Sequence, residues 1–62
     1  MQYKIKKYRL KMGMTQEELS KKSGVSRITI SGLESGKEMN VSVKILKRIA
    51  ECLEVSINDL FY

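Results

Sequence analysis

Arg27 and Ile28 stand directly after Ser26, a residue type that favours the cap position at the start of a helix. In a helix that enters the major groove of DNA, side chains of the first turn contact bases. The Arg27 guanidinium can donate two hydrogen bonds to O6 and N7 of one guanine, and an isoleucine can contact the methyl group of thymine. The alternatives are a surface arginine that binds a phosphate or nothing, and an isoleucine at the rim of the core. Thr29 follows in the same turn and can reach a base edge or the DNA backbone.

Two short helices and a tight turn would position these side chains. Thr15 and Glu18 have the capping-box spacing, in which the threonine hydroxyl accepts from the third helical N–H and the glutamate reaches back to the cap. Gly24 can take the left-handed conformation that a tight turn requires. We therefore predict helices over 16–22 and 27–35 that form a helix-turn-helix, a motif whose second helix enters the major groove.

The rest of the chain carries three more helix patterns. Helix one is predicted over 2–12, where apolar residues recur at helical spacing before Gly13. Helix four follows Ser42, and its apolar residues have the spacing of an amphipathic helix: Leu46, Ile49, Ala50 and Leu53. A final short helix is predicted after Ser56. With no proline and no alternating strand pattern, these elements predict an all-α fold, a compact five-helix bundle that forms one domain over 1–62.

The chain carries a clear excess of positive charge. Twelve lysines and arginines stand against seven acids, for a net charge of +5, and the first acid in the chain is Glu17. The basic residues before it are Lys4, Lys6, Lys7, Arg9 and Lys11. This excess favours a polyanionic partner such as DNA, because neutralised phosphates release counterions. The alternative is that the charges only keep helix faces solvated.

The sequence lacks the residue patterns that enzyme chemistry requires. It has no histidine, no Gly-rich phosphate loop and no metal-ligand spacing, so we expect no catalysis, no cofactor and no bound metal. Cys52 is the only cysteine, which excludes an internal disulfide. Its apolar neighbours indicate core packing, and the alternative is a reactive thiol. No apolar run has membrane-spanning length and no signal peptide is evident. We therefore expect a cytoplasmic protein with no membrane partner and no small-molecule ligand.

The segment from Thr15 to Gly36 resembles the helix-turn-helix of the phage repressor/Cro family, the XRE-type DNA-binding regulators. The matching residues are Thr15-Gln16-Glu17-Glu18-Leu19, Gly24-Val25-Ser26-Arg27, Ile30-Ser31 and Leu33-Glu34-Ser35-Gly36-Lys37. Further matches lie on both sides, at Ile5, Arg9 and Gly13 and at Ile49-Ala50, Leu53, Val55-Ser56 and Leu60-Phe61. The resemblance covers nearly the whole chain and implies a lambda repressor-like DNA-binding domain.

Together with the residue chemistry above, the resemblance implies two sets of DNA contacts. The first set would contact bases: Gln16, Arg27, Ile28, Thr29 and Gly32. The second set would contact phosphates: Arg9, Thr15, Ser26, Ser31, Lys37, Asn40 and Ser42. The resemblance also implies an internal ion pair between Arg9 and Glu34 that steers the arginine toward a phosphate.

Three positions depart from the family pattern, and one of them is Val41, which replaces a frequent proline. Gly32 stands where relatives often carry a longer side chain that reads further bases, so direct readout is shortened on that side. A glycine there also costs helix stability, about 1 kcal/mol relative to alanine. Glu54 stands at a helix end that relatives often fill with glycine. We therefore expect the fourth helix to end without a left-handed residue.

The residues and the resemblance together predict a sequence-specific, double-stranded DNA-binding transcriptional regulator that acts as a repressor. We expect a homodimer on a two-fold operator, because dimers place two recognition helices one helical turn of DNA apart. Ile57, Phe61 and Tyr62 exceed what a small core needs, and we predict that they form the dimer interface. The alternative is an antitoxin-like protein-interaction module of the same fold.

Overall fold

Serine and threonine caps start three helices, as the sequence predicts. In the computed structural model, which describes residues 3–37 and 41–61, the Thr15 hydroxyl accepts from the Glu18 backbone N–H at 3.0 Å. The Glu18 carboxylate accepts from the Thr15 N–H at 2.9 Å. Ser26 and Ser42 each accept from the N–H three residues on, at 3.1 and 3.2 Å. Each bond satisfies an N–H group that a helix start leaves unpaired.

Four α-helices and one turn of 3-10 helix make up the described residues. They are α1 Ile5–Lys11, α2 Gln16–Ser23, α3 Arg27–Ser35, α4 Val43–Cys52 and the 3-10 turn Ile57–Leu60. The predicted all-helical class is confirmed for residues 3–37 and 41–61, and α2 and α3 lie within one residue of their predicted bounds. The predicted count of five helices is wrong, because the last element is a 3-10 turn. Asn40 and Tyr62, for which the sequence predicts contacts, lie outside the described residues.

Pairing between the two ends of the chain explains the short last element. Tyr3 and Phe61 form an isolated antiparallel bridge with ring centroids 5.4 Å apart, and the Lys4 N–H donates to the Leu60 carbonyl at 2.7 Å. Phe61 is therefore extended, which leaves room for one tight turn of four residues before it. Because Tyr3 is held in the same bridge, α1 begins at Ile5, later than predicted.

α1 and α4 end in the same hydrogen-bond pattern, although different residues occupy its left-handed position. Gly13 follows α1 with φ of 71°, and Glu54 follows α4 with φ of 58°. In each case the next N–H donates back to a carbonyl of the last turn at 3.0 Å, from Met14 to Arg9 and from Val55 to Ala50. The expectation that α4 ends without a left-handed residue is thus wrong. The pattern holds Glu54 in a conformation that costs a residue with a Cβ roughly 1–2 kcal/mol.

One apolar face from each element meets in a single core. The side chains with no exposed surface are Ile5, Leu19, Ile30, Leu33, Ile49 and Leu60, which come from all four helices and the 3-10 turn. Cys52 packs at the edge of this core, as predicted, and burial raises the pKa of its thiol. Helices of seven to ten residues are unstable alone, so burial of these faces holds them in place.

Candidate nucleic-acid interface

A left-handed glycine makes the turn between α2 and α3. Gly24 has φ of 73°, and a Cβ there would meet no atom within 4 Å, so the backbone conformation alone requires glycine. Two serine hydroxyls of α2 hold Val25, the next residue. Ser20 Oγ donates to its carbonyl at 2.6 Å, and Ser23 Oγ accepts from its N–H at 3.2 Å. Because Val25 is also buried, the direction in which the chain enters α3 is fixed.

α3 buries one face and exposes the other at its first turn. Ile30 and Leu33 face the core with no exposed surface, whereas Ile28 is 86% exposed. This value excludes the alternative in which Ile28 packs at the rim of the core. Arg27 beside it is exposed and joins no ion pair within the described residues. The first turn of α3 therefore offers one guanidinium and one apolar side chain to a partner.

The hydroxyls of Ser26 and Thr29 are bonded to each other at the start of α3. The Ser26 hydroxyl donates to Thr29 Oγ1 at 2.9 Å while it accepts from the Thr29 N–H at 3.1 Å. Ser26 therefore acts as the cap, and half-buried Thr29 keeps its own O–H for a base or a phosphate. Farther along α3, Ser31 is exposed and Gly32 is half-buried.

A buried ion pair holds the other end of α3. Arg9 Nε lies 2.7 Å from Glu34 Oε2, Arg9 Nη2 lies 3.0 Å from Oε1, and the two side chains are only 8% and 5% exposed. The third nitrogen, Arg9 Nη1, donates to the Met14 carbonyl at 2.8 Å. The hydrogen bond to Glu34 raises the pKa of Arg9, so the guanidinium stays charged although it is buried.

The geometry bears on both contacts that the resemblance implies for Arg9. The implied pairing with Glu34 is present, and three of the five guanidinium N–H groups donate within the protein. The side chain is 8% exposed, which limits the surface available to a phosphate. Removing one partner of such a pair is costly, since it leaves an uncompensated buried charge. The ion pair therefore holds α3 against α1, and the phosphate contact that the resemblance implies for Arg9 stays a prediction.

Gln16 belongs to the same network. Its Nε2 donates to Glu34 Oε1 at 3.1 Å, and that oxygen also accepts from Arg9. Gln16 is the first residue of α2 and is half-buried, so one carboxylate links three helices. The sequence indicated a DNA contact for Gln16 but not this bond, because only folding brings residues 18 positions apart together.

The segment between α3 and α4 carries the remaining predicted contacts. Gly36 is left-handed with φ of 81°, and Lys37 after it is exposed. Ser42 is exposed and caps α4, so its hydroxyl already accepts one hydrogen bond. Sequence reasoning overlooked Val43, which is 69% exposed in the first turn of α4. Val43 lies three residues before Leu46 and seven before Ala50, so helical spacing alone predicts a buried position and gave no signal of its exposure.

Two of the three residues predicted for a dimer interface pack against the core. Ile57 and Phe61 are half-buried there, and the Phe61 ring also contacts Tyr3. They are therefore not surplus to the core, and only their exposed parts remain for a second copy of the chain. Tyr62, the third residue, is beyond the described part of the chain.

Residues 3–37 and 41–61 carry neither a membrane span nor a cluster of metal-ligating side chains. None of the helices there has both the length and the apolar character that a membrane span requires. In the same residues, no three histidine, cysteine or acidic side chains lie together as a possible metal site.

Known proteins share both the sequence pattern and the fold. A sequence model of the helix-turn-helix family matches residues 5–60, which include all four α-helices. The chain belongs to the helix-turn-helix family. A member from Archaeoglobus fulgidus is 49% identical over 98% of this chain and 86% of its own length. Another from Methanocaldococcus jannaschii is 46% identical over 98% of this chain and 91% of its own length. Both are named as uncharacterized HTH-type transcriptional regulators.

Solved helix-turn-helix structures superpose closely on this one. SinR, described as the master regulator for biofilm formation and solved in complex with DNA, gives a TM-score of 0.85 at 33% identity, over 89% of this chain and 87% of the solved chain. This chain spans 51% of the SinR sequence of Bacillus subtilis. The restriction-modification controller protein C.Esp1396I gives 0.76 at 50% identity, over 84% and 67% of the two chains. The resemblance to XRE-type helix-turn-helix regulators is confirmed.

Proposed function

We propose that this helix-turn-helix protein is a sequence-specific transcriptional regulator that binds double-stranded DNA as a homodimer and represses the promoter it occupies. The first turn of α3 carries the proposal. Arg27 and Ile28 are exposed there side by side, on a helix whose far end is anchored by a buried ion pair. A guanidinium and an apolar side chain are the groups that read guanine and thymine in the major groove.

Contacts to the DNA backbone would surround this first turn. Lys37 is an exposed cation that joins no ion pair within the described residues, so it can neutralise a phosphate. Ser31 and Ser42 are exposed and can donate hydrogen bonds to phosphate oxygens. The backbone N–H groups at the start of α2, next to Thr15, attract an anion for the same reason that helix starts attract carboxylates. In this proposal phosphates set the position of α3, and its first turn reads the bases.

Two copies of the chain would bind more tightly than one. A single small DNA-binding module buries roughly 600–1,000 Å² of protein surface on DNA. A homodimer on a two-fold operator doubles that area and places two copies of α3 about 34 Å apart. The exposed parts of Ile57 and Phe61 are apolar surface for this contact. Repression follows from occupation of a promoter, which requires only the DNA-binding surface.

Selection of bound duplexes from a random pool tests the proposal. We expect a palindromic consensus with half-sites one helical turn apart, and sedimentation of two chains per duplex. A consensus with a single half-site would contradict the homodimer and retain sequence-specific binding. Failure to enrich any sequence at low salt would contradict sequence-specific binding itself.

The purified protein also serves to test the alternative, an antitoxin-like protein-interaction module. SinR has also been solved in a complex with the SinI protein, so a protein partner is a reasonable second candidate for this fold. Immobilised protein would be exposed to cell extract with and without nuclease treatment. A protein captured under both conditions by a chain that has no DNA affinity would favour the interaction module.

A further inference from the structure

We propose that Ile28 makes the affinity of this protein for DNA respond to cytosine methylation, with 5-methylcytosine able to replace thymine in the bound site. The inference rests on the proposed DNA-binding function and adds the modification state of one base to what the protein reads. It starts from the side chain of Ile28, which is 86% exposed. Within α3, Ile28 is the only large apolar side chain that is exposed.

The helix surface beside Ile28 is open. The residues three and four positions farther along a helix lie next to a given side chain, and here they are Ser31 and Gly32. Ser31 is short and exposed, and Gly32 has no side chain. A base edge can therefore reach the isoleucine without displacing another side chain of α3.

The chemistry of isoleucine restricts what this side chain can recognise. It has no donor or acceptor, so it cannot bind a phosphate or a polar base edge by hydrogen bonds. The apolar group that the bases present in the major groove is the methyl on C5 of thymine. 5-Methylcytosine carries the same methyl on C5 and differs from thymine at C4, where an amino group replaces the carbonyl. An isoleucine cannot distinguish those two polar groups by hydrogen bonding, so Ile28 selects the methyl and not the base.

This selection gives cytosine methylation an effect on binding. A site with C·G in place of the contacted T·A pair lacks the methyl, and methylation of that cytosine restores it. We expect the restored contact to raise affinity about fourfold, which corresponds to about 0.8 kcal/mol for one buried carbon when a tenfold change is 1.4 kcal/mol. Methylation of one cytosine would therefore regulate occupation of such a site.

Removal of single methyl groups from the selected duplex locates the contact. Each thymine is replaced in turn by uracil, which lacks the methyl and keeps every hydrogen-bonding group, and affinity is measured by fluorescence anisotropy. We expect one position in each half-site to lose affinity about fourfold. Specific binding with no loss at any position would overturn the inference and leave the DNA-binding function intact. Absence of specific binding to any duplex would overturn both.

Exchange of that thymine for cytosine and for 5-methylcytosine tests the response to methylation. The two duplexes have the same C·G pair and differ by one methyl group. We expect the methylated duplex to bind about fourfold more tightly. Equal affinity for the two duplexes would overturn the inference, because the methyl would then contribute only as part of thymine.

Ile28→Ser separates direct contact from an effect of methylation on DNA shape. Serine and isoleucine have similar helix propensities and the position is exposed, so the unfolding midpoint in urea should hardly move. We expect this variant to bind the two duplexes equally. Lys37→Ala is the matched control, which should bind both more weakly and retain the preference for the methylated one. A preference retained in Ile28→Ser would show that the methyl acts through DNA shape and would overturn the role of Ile28.

Discussion

The two ends of α3 use charged side chains in opposite ways. At the first turn, Arg27 is exposed and joins no ion pair among the described residues. At the last turn, Glu34 is 5% exposed and accepts from Arg9 and Gln16. The helix is only nine residues long, yet an ion pair anchors one end and the other end is exposed to solvent. Residues seven positions apart lie on nearly the same side of a helix but about 10 Å apart along its axis, so they can contact different neighbours.

The difference follows from solvation. An exposed guanidinium keeps its water, contributes little to folding and can exchange that water for a nucleic acid. A buried carboxylate has lost its water, so it must be paired, and the partners it gathers become fixed in position. The buried ion pair therefore fixes the position of the exposed first turn of α3. Substitutions at the two ends should differ in their effects on folding and on binding.

Removing the cation at the anchored end should have the largest effect. Arg9→Met leaves the Glu34 carboxylate buried without its partner, and we expect the free energy of unfolding to fall by about 3–5 kcal/mol. A domain of this size has only a few kcal/mol in total, so urea titration should find this variant largely unfolded.

Lys21→Met is the matched control for that change. Lys21 pairs with Glu17 at 3.7 Å, but both side chains are exposed, so the loss should stay below about 0.5 kcal/mol. Similar losses for the two variants would show that burial does not distinguish the two ion pairs.

Removing the cation at the exposed first turn of α3 should weaken DNA binding and leave the stability of the fold unchanged. Arg27→Ala should weaken binding to the selected duplex by about 1–3 kcal/mol and relax specificity at one base pair. Because the side chain is exposed, the unfolding midpoint in urea should hardly move. Equal weakening for all duplexes would identify Arg27 as a phosphate contact.

Lys37 tests the electrostatic part of the interface. Lys37→Ala should weaken binding to every duplex similarly, and the slope of log affinity against log salt should become shallower by about one unit. Fluorescence anisotropy over a series of salt concentrations measures this slope. A slope identical to that of the unmodified protein would place Lys37 outside the interface.

Glu54 lies away from both ends of α3 in the chain and tests whether affinity follows stability. Glu54 has φ of 58°, which glycine adopts without strain, so Glu54→Gly should stabilise the fold by about 1 kcal/mol. Thermal unfolding measures this gain, and affinity for the selected duplex should not change. A lower melting temperature would mean that the Glu54 side chain stabilises the end of α4 by more than its backbone strain costs.

Much of this fold was predictable because its signals are local. The caps at Thr15, Ser26 and Ser42 act over three residues, and each was legible from residue types alone. The 3-10 turn was not predictable, because it depends on a bridge between Tyr3 and Phe61 at opposite ends of the chain. A capping pattern indicates where a helix starts, but contacts with distant parts of the chain, such as this bridge, decide where it ends.

Some features of the candidate site were likewise predictable from local residue types, and others were not. Residue types were sufficient to indicate Arg27 as a base-reading side chain and Glu34 as the partner of Arg9 through the family resemblance. They left open whether Ile28 packs at the core rim, and they did not reveal that Gln16 is bonded within the protein. Both outcomes depend on which helix lies alongside, and no spacing within one helix encodes its neighbour.

Residue types and spacing were enough to establish where three of the four α-helices begin, which face of each is apolar and to which family the chain belongs. Those properties arise from caps, turns and periodicity that act within a few residues. Packing between the helices, in contrast, buries Arg9, exposes Ile28 and lets one Glu34 carboxylate bond to residues of two other helices. These outcomes depend on how much water each group keeps once the helices pack, and that is settled by contacts between residues far apart in the chain.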